Sequence, residues 1–355
     1  MNTSGRKLVA QRICEGAAPE PVKTTARQLL RYHHDDDYQG GAPLRIMSVC
    51  GPYTTSDNLD YQPLLDLVTV INTERPDVVL LAGPFVDLRH QAVLSGQTML
   101  QFQDGGEVLV PYETFFANKI AAVLEDLYTD SDNLQTQFVI VPSLEDATAE
   151  FVYPQPPMKD RIPGGKTLGV QSDDAVEIGA LGLNYIEMAG RESKGPRRVH
   201  CVPNPCTLKI NELVIGITST DVLFHISAEE TNAHLELGSR LGRIAQHMLQ
   251  QKSYYPLFPS GPMVNLNLKF MDQWSMPCRP DLLILPSRLS YFARTVLDGT
   301  VVVNPGYLTR ETNGGTYAMM HVQPFPRESL ENSGSEDVEL DHRVNERICV
   351  EIKRI

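Results

Sequence analysis

The sequence predicts an α/β fold in which at least part of the sheet is parallel, and three observations support it. From residue 44 onward, short apolar segments alternate with segments that carry apolar residues at helical spacing. Residues 77–83 and 138–141 are apolar almost throughout, as expected for strands covered on both faces. The later part of the chain is richer in strand-like segments, which predicts a second sheet.

The first half supplies the alternating elements. Residues 44–50 predict a buried strand that ends at Gly51 and Pro52. Pro63 suits the first turn of a helix. The apolar face of that helix comprises Leu64, Leu67, Val68 and Ile71, and that of the next helix comprises Phe116, Ile120, Val123, Leu124 and Leu127.

The second half predicts a hairpin, one helix and a set of strands. Residues 206–210 and 213–218 flank a two-residue turn, which is typical of a β-hairpin. Apolar residues at helical spacing predict a helix over residues 228–250. The remaining predicted strands are 282–285, 300–303, 316–322 and 348–352.

The sequence predicts a domain boundary near residue 43. Residues 5–10 could form one strand, which cannot fold alone, so residues 1–43 are interpreted as the end of another domain plus a linker. His33 and His34 beside three aspartates could bind a metal, but a solvated linker is favoured. Residues 44–355 form the main domain, with surface insertions predicted at about 158–198 and 327–346.

Composition narrows the function classes. The 355 residues have a formal net charge of −13, which argues against a protein that grips nucleic acid by itself. The six cysteines contain no CxxC pair, so a zinc site is not expected. No apolar run is long enough to cross a bilayer and no signal peptide is recognised, so an intracellular protein is expected.

Ligands and catalytic groups in α/β sheets collect past the carboxyl ends of the strands. Here those ends are residues 50–53, 83–87, 142–146 and 286–289. Asp87, Asp146 and Asp221 lie at or near such ends and could be the remains of an active site. Hydrogen bonding within loops and helix caps is the favoured interpretation for these aspartates. His225 could ligate a metal, but a lone histidine is more often structural.

The order of these strand ends resembles the calcineurin-like metallophosphoesterases. Those enzymes place Asp-x-His, Gly-Asp, Gly-Asn-His-Asp/Glu and Gly-His-x-His at corresponding ends, where the side chains hold two metal ions. The corresponding positions here lack that pattern, so the resemblance implies no catalytic residue, no metal and no cofactor. These degenerate ligand positions are Cys50, Gly51, Tyr53, Pro84, Ser143, Leu144, Glu145, Ser287 and Leu289.

The sequence motifs around these positions resemble those of the accessory B subunits of DNA polymerase alpha. The matching motifs run in order from about residue 44 to the C-terminus, and residues 1–10 resemble the last part of the OB domain of that family. The matching segments are 51–57, 61–67, 75–77, 83–87, 141–144, 153–157, 216–225, 251–257, 280–287 and 303–306.

The resemblance implies a two-sheet metallophosphoesterase-like sandwich flanked by helices and preceded by a remnant strand of an OB domain. It implies a scaffold in the nucleus that acts in the initiation of DNA replication. The implied partners are the C-terminal zinc-binding domain of the polymerase catalytic subunit and the two primase subunits, with DNA contacted only indirectly and no membrane. The competing hypotheses are an active metal-dependent phosphoesterase or nuclease of the same fold and a nucleic-acid-binding module.

Overall fold

The computed structural model describes residues 17–101, 106–130, 135–158, 181–183, 198–231, 239–297, 299–332 and 336–355, and it has the predicted mixed α/β architecture. In chain order the strands are Lys23–Thr25 (β1), Leu44–Cys50 (β2), Val78–Ala82 (β3), Met99–Gln101 (β4), Glu107–Leu109 (β5), Gln137–Val141 (β6), Val199–Cys201 (β7), Cys206–Ile210 (β8), Leu213–Ile217 (β9), Leu282–Ile284 (β10), Phe292–Val296 (β11), Thr300–Asn304 (β12), Thr309–Arg310 (β13), Asn313–Gly314 (β14), Thr316–Val322 (β15), Glu339–Asp341 (β16) and Ile348–Arg354 (β17).

Two large sheets dominate the fold. The six-stranded sheet has the order β17-β15-β2-β3-β6-β7, and its four strands from β2 to β7 are parallel. The five-stranded sheet has the order β11-β12-β10-β9-β8, and its three central strands are parallel. Among the described residues, antiparallel strands form three of the four sheet edges, and the parallel strand β7 forms the fourth.

The two sheets pack face to face. One buried apolar cluster takes residues from both sheets, including Ile46 and Leu80 from the first and Ile215 and Ile284 from the second. The near-continuous apolar runs of the sequence arise because these strands are covered on their outer faces as well. The confirmed predictions thus include strands β2, β3 and β6 and the hairpin formed by β8 and β9.

Helices cover both outer faces. The six-stranded sheet is covered by helices that bury Leu67, Ile71 and Phe116, and the five-stranded sheet by helices that bury Ile244 and Met248. None of the helices in the described ranges is long and apolar enough to cross a membrane. The α-helices are Ala26–His34, Gln62–Glu74, Gln91–Leu94, Tyr112–Phe116, Ala122–Asp130, Val222–Glu229, Arg240–Gln250, Arg327–Glu331 and Val344–Arg347; a π-helical turn, Ala117–Ala121, and a 3₁₀ segment, Leu268–Trp274, accompany them.

The single helix predicted over residues 228–250 is wrong. Residue 228 belongs to the helix Val222–Glu229, and a second helix begins at Arg240. Ser239 caps the second helix by accepting a hydrogen bond from the Gly242 backbone N–H. Apolar spacing alone did not reveal this boundary, because the signal for it is a polar capping residue.

The solvated-linker interpretation is wrong for His33. His33 is fully buried at the end of the helix Ala26–His34, and its Nε2 atom lies 2.9 Å from the carboxylate of Glu212. Strand β1 pairs with β16, which fastens this segment to the main body. The strand predicted over residues 5–10 lies outside the described residues, and the assignment of residues 1–43 to another domain stays a prediction.

The two predicted insertions are not simple surface loops. Most of 158–198 lies outside the described residues, but Met158, Leu181 and Leu183 are buried in the cluster beneath the helices of the six-stranded sheet. The described part of 327–346 holds a helix, strand β16 and the start of another helix, with Leu330 and Val344 buried. Because both segments are polar overall, the sequence did not indicate that these few apolar residues are buried.

Candidate functional site at the carboxyl ends of the strands

The ends of β2, β3 and β6 meet in one place. The Cys50 thiol donates to the carbonyl oxygen of Gly83 at 3.3 Å. A Cβ on Gly51 would lie 2.0 Å from the carbonyl oxygen of Pro84, and one on Gly83 would lie 3.0 Å from Cβ of Ser143. Backbone approach this close requires glycine, so the first three predicted ligand positions are packed directly against one another.

The first of these positions contains buried, neutral side chains. The Tyr53 hydroxyl donates to the carbonyl oxygen of Ala82 at 2.9 Å, and its ring stacks on Phe85 with the centroids 5.0 Å apart. Burial raises the pKa of the Cys50 thiol and of the Tyr53 hydroxyl well above their usual values. Both groups therefore stay protonated at neutral pH.

Asp146 fastens the loop after β6 to the loop after β3. Its Oδ2 atom accepts a hydrogen bond from the Phe85 N–H at 2.5 Å, and Oδ1 accepts from the Thr148 N–H and hydroxyl at 3.1 and 2.8 Å. Burial raises the pKa of Asp146 to about 6 although these hydrogen bonds act in the opposite direction. The carboxylate is fully buried and its role is structural, as the loop-bonding interpretation predicted.

Glu145 and Asp87 share one arginine. Arg89 lies 3.0 Å from Glu145 and 3.2 Å from Asp87, measured between guanidinium nitrogen and carboxylate oxygen. Burial raises the pKa of Glu145 while Arg89 opposes the shift. Burial would lower the pKa of Arg89, but the two carboxylates outweigh it and raise the pKa. Ser143 accepts a hydrogen bond from the Glu145 N–H, and Leu144 packs on the apolar cluster of the five-stranded sheet.

The last predicted ligand position, Ser287 and Leu289, follows strand β10 of the five-stranded sheet. The intervening Arg288 contacts Asp221, which follows strand β9. Ser287 is buried, and its hydroxyl oxygen accepts a hydrogen bond from the Leu289 N–H at 3.1 Å. Asp221 accepts from Arg288 Nε at 3.1 Å and from the Tyr307 hydroxyl at 3.1 Å. It also caps the helix Val222–Glu229, as its position after a strand predicted. His225 contacts the Tyr255 hydroxyl at 3.1 Å rather than these carboxylates.

Comparison of the sequence with models of known protein families identifies the family to which the chain belongs. The model of the family formed by the B subunits of DNA polymerases alpha and epsilon matches residues 46–294, which include every strand end discussed above. The chain belongs to this family. The predicted resemblance to B subunits is thereby confirmed.

Individual B subunits agree with the family match. The mouse (Mus musculus) B subunit of DNA polymerase alpha is 35% identical over 327 residues, which cover 92% of this chain and 46% of the relative. The Schizosaccharomyces pombe protein of the same name is 28% identical over 361 residues, covering 100% of this chain and 54% of the relative. The Saccharomyces cerevisiae protein is 26% identical over 359 residues, covering 91% and 45%. The chain spans about half the length of the curated relatives it matches.

In this B-subunit chain a cleft of about 640 Å³ lies beside the strand ends, and Pro52, Asp87 and Arg288 from these ends are among the residues that line it. Arg89 and Arg288 line it, and each pairs with a carboxylate that could otherwise approach a cation. Across the described ranges, no group of three or more His, Cys, Asp or Glu side chains is arranged to hold a metal ion. Asp87, Glu145 and Asp221 are therefore held in ion pairs with these two arginines.

Sequence reasoning missed several side chains that organise this cleft. Asn304 accepts hydrogen bonds from the Ser287 and Gly306 N–H groups, and Tyr307 reaches Asp221 across the site. Arg89 and Arg288 were not identified as site residues, because an arginine in a polar loop is usually solvated. Asn304 gave one usable signal, since it directly follows the predicted strand 300–303 and begins an Asn-Pro-Gly sequence that is typical of a turn.

Proposed function

We propose that this chain is a non-catalytic scaffold subunit of the DNA polymerase alpha–primase complex, acting in the nucleus during the initiation of DNA replication. In this proposal the two packed sheets are a degenerate metallophosphoesterase-like sandwich. Residues 1–43 are the end of an OB domain and a linker. Membership of the B-subunit family and the names of the relatives support the proposal.

The pairing of Glu145 and Asp221 with arginines supports the non-catalytic part of the proposal. A dinuclear metal centre needs several unpaired oxygen or nitrogen ligands that converge on each ion. Asp221 is paired with Arg288 at 3.1 Å, and Glu145 is paired with Arg89 at 3.0 Å. Pro84 offers no ligand atom in its side chain. The guanidinium groups supply the positive charge that these carboxylates require.

The scaffold role requires a protein partner, and the proposed partner is the C-terminal zinc-binding domain of the polymerase catalytic subunit. Two packed sheets covered by helices provide a rigid surface for holding such a domain. The primase subunits join through the same complex, and DNA is contacted through the assembled complex. The net charge of −13 agrees with a chain that does not bind DNA by itself.

Isothermal titration of the purified chain against that C-terminal domain, taken from the same organism, tests the proposal. We expect saturable binding with one domain per chain. An unrelated zinc-binding domain of similar size is the control and should give no heat of binding. Absence of binding between two folded partners would contradict the proposed function.

A further inference from the structure

Strand β17 forms one edge of the six-stranded sheet, and its outer side is open. Among the described residues, β15 is the strand that pairs with β17, and no strand lies on the other side of it. None of the residues of β17 is buried, whereas all of β15 except His321 is buried. An edge strand of this kind presents a row of backbone N–H and C=O groups that another strand can pair with.

The register with β15 determines which backbone groups of β17 face outwards. The Gln323 N–H donates to the carbonyl oxygen of Arg347 at 2.8 Å, and the Ile355 N–H donates to that of Gly315 at 3.2 Å. Hydrogen-bonded and non-hydrogen-bonded pairs alternate in an antiparallel ladder, so the odd-numbered residues of β17 bond to β15. The even-numbered residues therefore direct their N–H and C=O groups away from β15. These residues are Ile348, Val350, Ile352 and Arg354.

The two faces of β17 differ in chemistry. On one face, Val350 and Ile352 pack against the apolar cluster between the two sheets. On the other face, Glu351 and Lys353 carry opposite charges, and their side chains are 49% and 33% exposed. The Lys353 ammonium lies 3.2 Å from the carboxylates of Glu74 and Glu351. Water screens these exposed pairs, so both side chains can also contact the side chains of an added strand.

We propose that β17 is a self-association site, at which a second copy of the chain adds its own β17 antiparallel to the first across a two-fold axis. With Ile352 on the axis, the outward N–H and C=O groups of the two Ile352 residues bond to each other. Val350 pairs in the same way with Arg354 of the second copy. This register places Glu351 opposite Lys353 of the second copy on both sides of the axis. The six-stranded sheet then continues from one copy into the other.

The charges of β17 favour this occupant and this register. An axis at Glu351 or at Lys353 would place like charges directly opposite each other, which is destabilising, and an axis at Val350 would place Lys353 opposite Arg347. The axis at Ile352 gives pairs of opposite charge instead. A charge on an edge strand usually prevents pairing, but the charge pattern of β17 is complementary to itself. The inference does not depend on the proposed function, because it requires no other protein.

Sedimentation equilibrium in reducing buffer, with charge variants of β17, tests the inference. The unmodified chain should form a dimer as its concentration rises toward about 1 mM, because a contact between two strands is small and weak. Glu351→Lys and Lys353→Glu each place like charges opposite each other, so each should raise the dimer Kd at least tenfold, about 1.4 kcal/mol. An equimolar mixture of the two variants should associate as strongly as the unmodified chain, because the facing residues again have opposite charges.

Glu107→Lys is the matched control, because Glu107 is exposed in strand β5 and the substitution changes the net charge as Glu351→Lys does. Its dimer Kd should change less than twofold, and thermal unfolding verifies that every variant is folded. A monomer at every concentration would overturn the inference, as would a dimer that neither variant weakens or a mixture that associates no better than its components.

Hydrogen exchange identifies what covers the edge. The outward N–H groups of Val350 and Ile352 should exchange more slowly as the dimer forms. Full protection of both groups at concentrations where the chain is monomeric would show that another segment of the same chain covers β17, and the inference would then be wrong.

Discussion

Two buried carboxylates at opposite ends of the sheets have pKa values that are shifted in opposite directions. Glu212 lies in the turn between β8 and β9, where His33 and Arg347 contact it. Burial would raise its pKa, but the hydrogen bond and charge of His33, together with Arg347, lower the pKa to about 2. Asp146, beyond the carboxyl end of β6, receives hydrogen bonds from neutral donors, and burial raises its pKa to about 6.

The contrast shows that counter-charges rather than burial decide how each carboxylate affects stability. The lowered pKa of Glu212 means that its contribution is present above the unfolded pKa of 4.5 and is lost as pH falls toward about 2. The raised pKa of Asp146 means that ionisation costs stability as pH rises from 3.8 through about 6. The region around Glu212 anchors the N-terminal segment through His33. The region around Asp146 is destabilised when that carboxylate ionises.

The largest effect is expected from Glu212→Gln. The substitution leaves His33 and Arg347 facing a neutral amide in a buried site, so we expect unfolding free energy at pH 7 to fall by about 3–5 kcal/mol. Urea unfolding measures it. Glu331→Gln is the control, because Glu331 pairs with Arg327 on the surface and should cost about 0.5 kcal/mol or less. A loss below about 1 kcal/mol for Glu212→Gln would remove the contrast between the two regions.

The pH dependence of the stability lost on Asp146→Asn tests the contrast between Asp146 and Glu212. The amide cannot ionise, so it avoids the penalty that the wild-type carboxylate incurs at higher pH. The stability lost on substitution should therefore shrink by about 3 kcal/mol between pH 3.5 and pH 7.5. Urea unfolding across this range measures the change, and Glu212→Gln in the same buffers should show the opposite trend. A loss that grows with pH for both variants would refute the comparison.

A smaller effect is expected from Arg89→Met at the cleft. Arg89 is 43% exposed, so its ion pairs are screened by water and their loss should cost about 1 kcal/mol or less. Removing the guanidinium should also raise the pKa of Glu145 further, because Arg89 opposes the effect of burial there. Carboxyl NMR titration follows Glu145, and Lys23→Met serves as an exposed-pair control. A lower pKa of Glu145 in the variant would contradict this description.

The repeating parts of the fold could be predicted from the sequence. Strands β2 and β15 have the predicted bounds, and Leu67 and Ile71 are buried as their helical spacing predicted. These features depend on local periodicity. The contact between His33 and Glu212 joins residues far apart in the chain, and nothing in the polar segment around His33 indicated its partner. Leu181 and Leu183 were concealed in the same way within a polar insertion.

The candidate site was predictable in position and less so in detail. The predicted strand ends meet in the structure, and Asp146 and Asp221 have the loop-bonding and capping roles that were favoured. The arginine partners were missed because pairing depends on how separate loops approach one another. Arg89 and Glu145, for example, come from the loops after β3 and β6.

Metal binding and phosphodiesterase activity, measured together on the purified chain, test most directly whether the cleft is non-catalytic. The chain is dialysed against Mn²⁺, its metal content is determined, and hydrolysis of bis-p-nitrophenyl phosphate is followed. We predict no stoichiometric metal and no hydrolysis above the buffer rate, because Glu145 and Asp221 at the strand ends are paired with Arg89 and Arg288. Stoichiometric Mn²⁺ with turnover that Asp221→Ala abolishes would contradict the proposal.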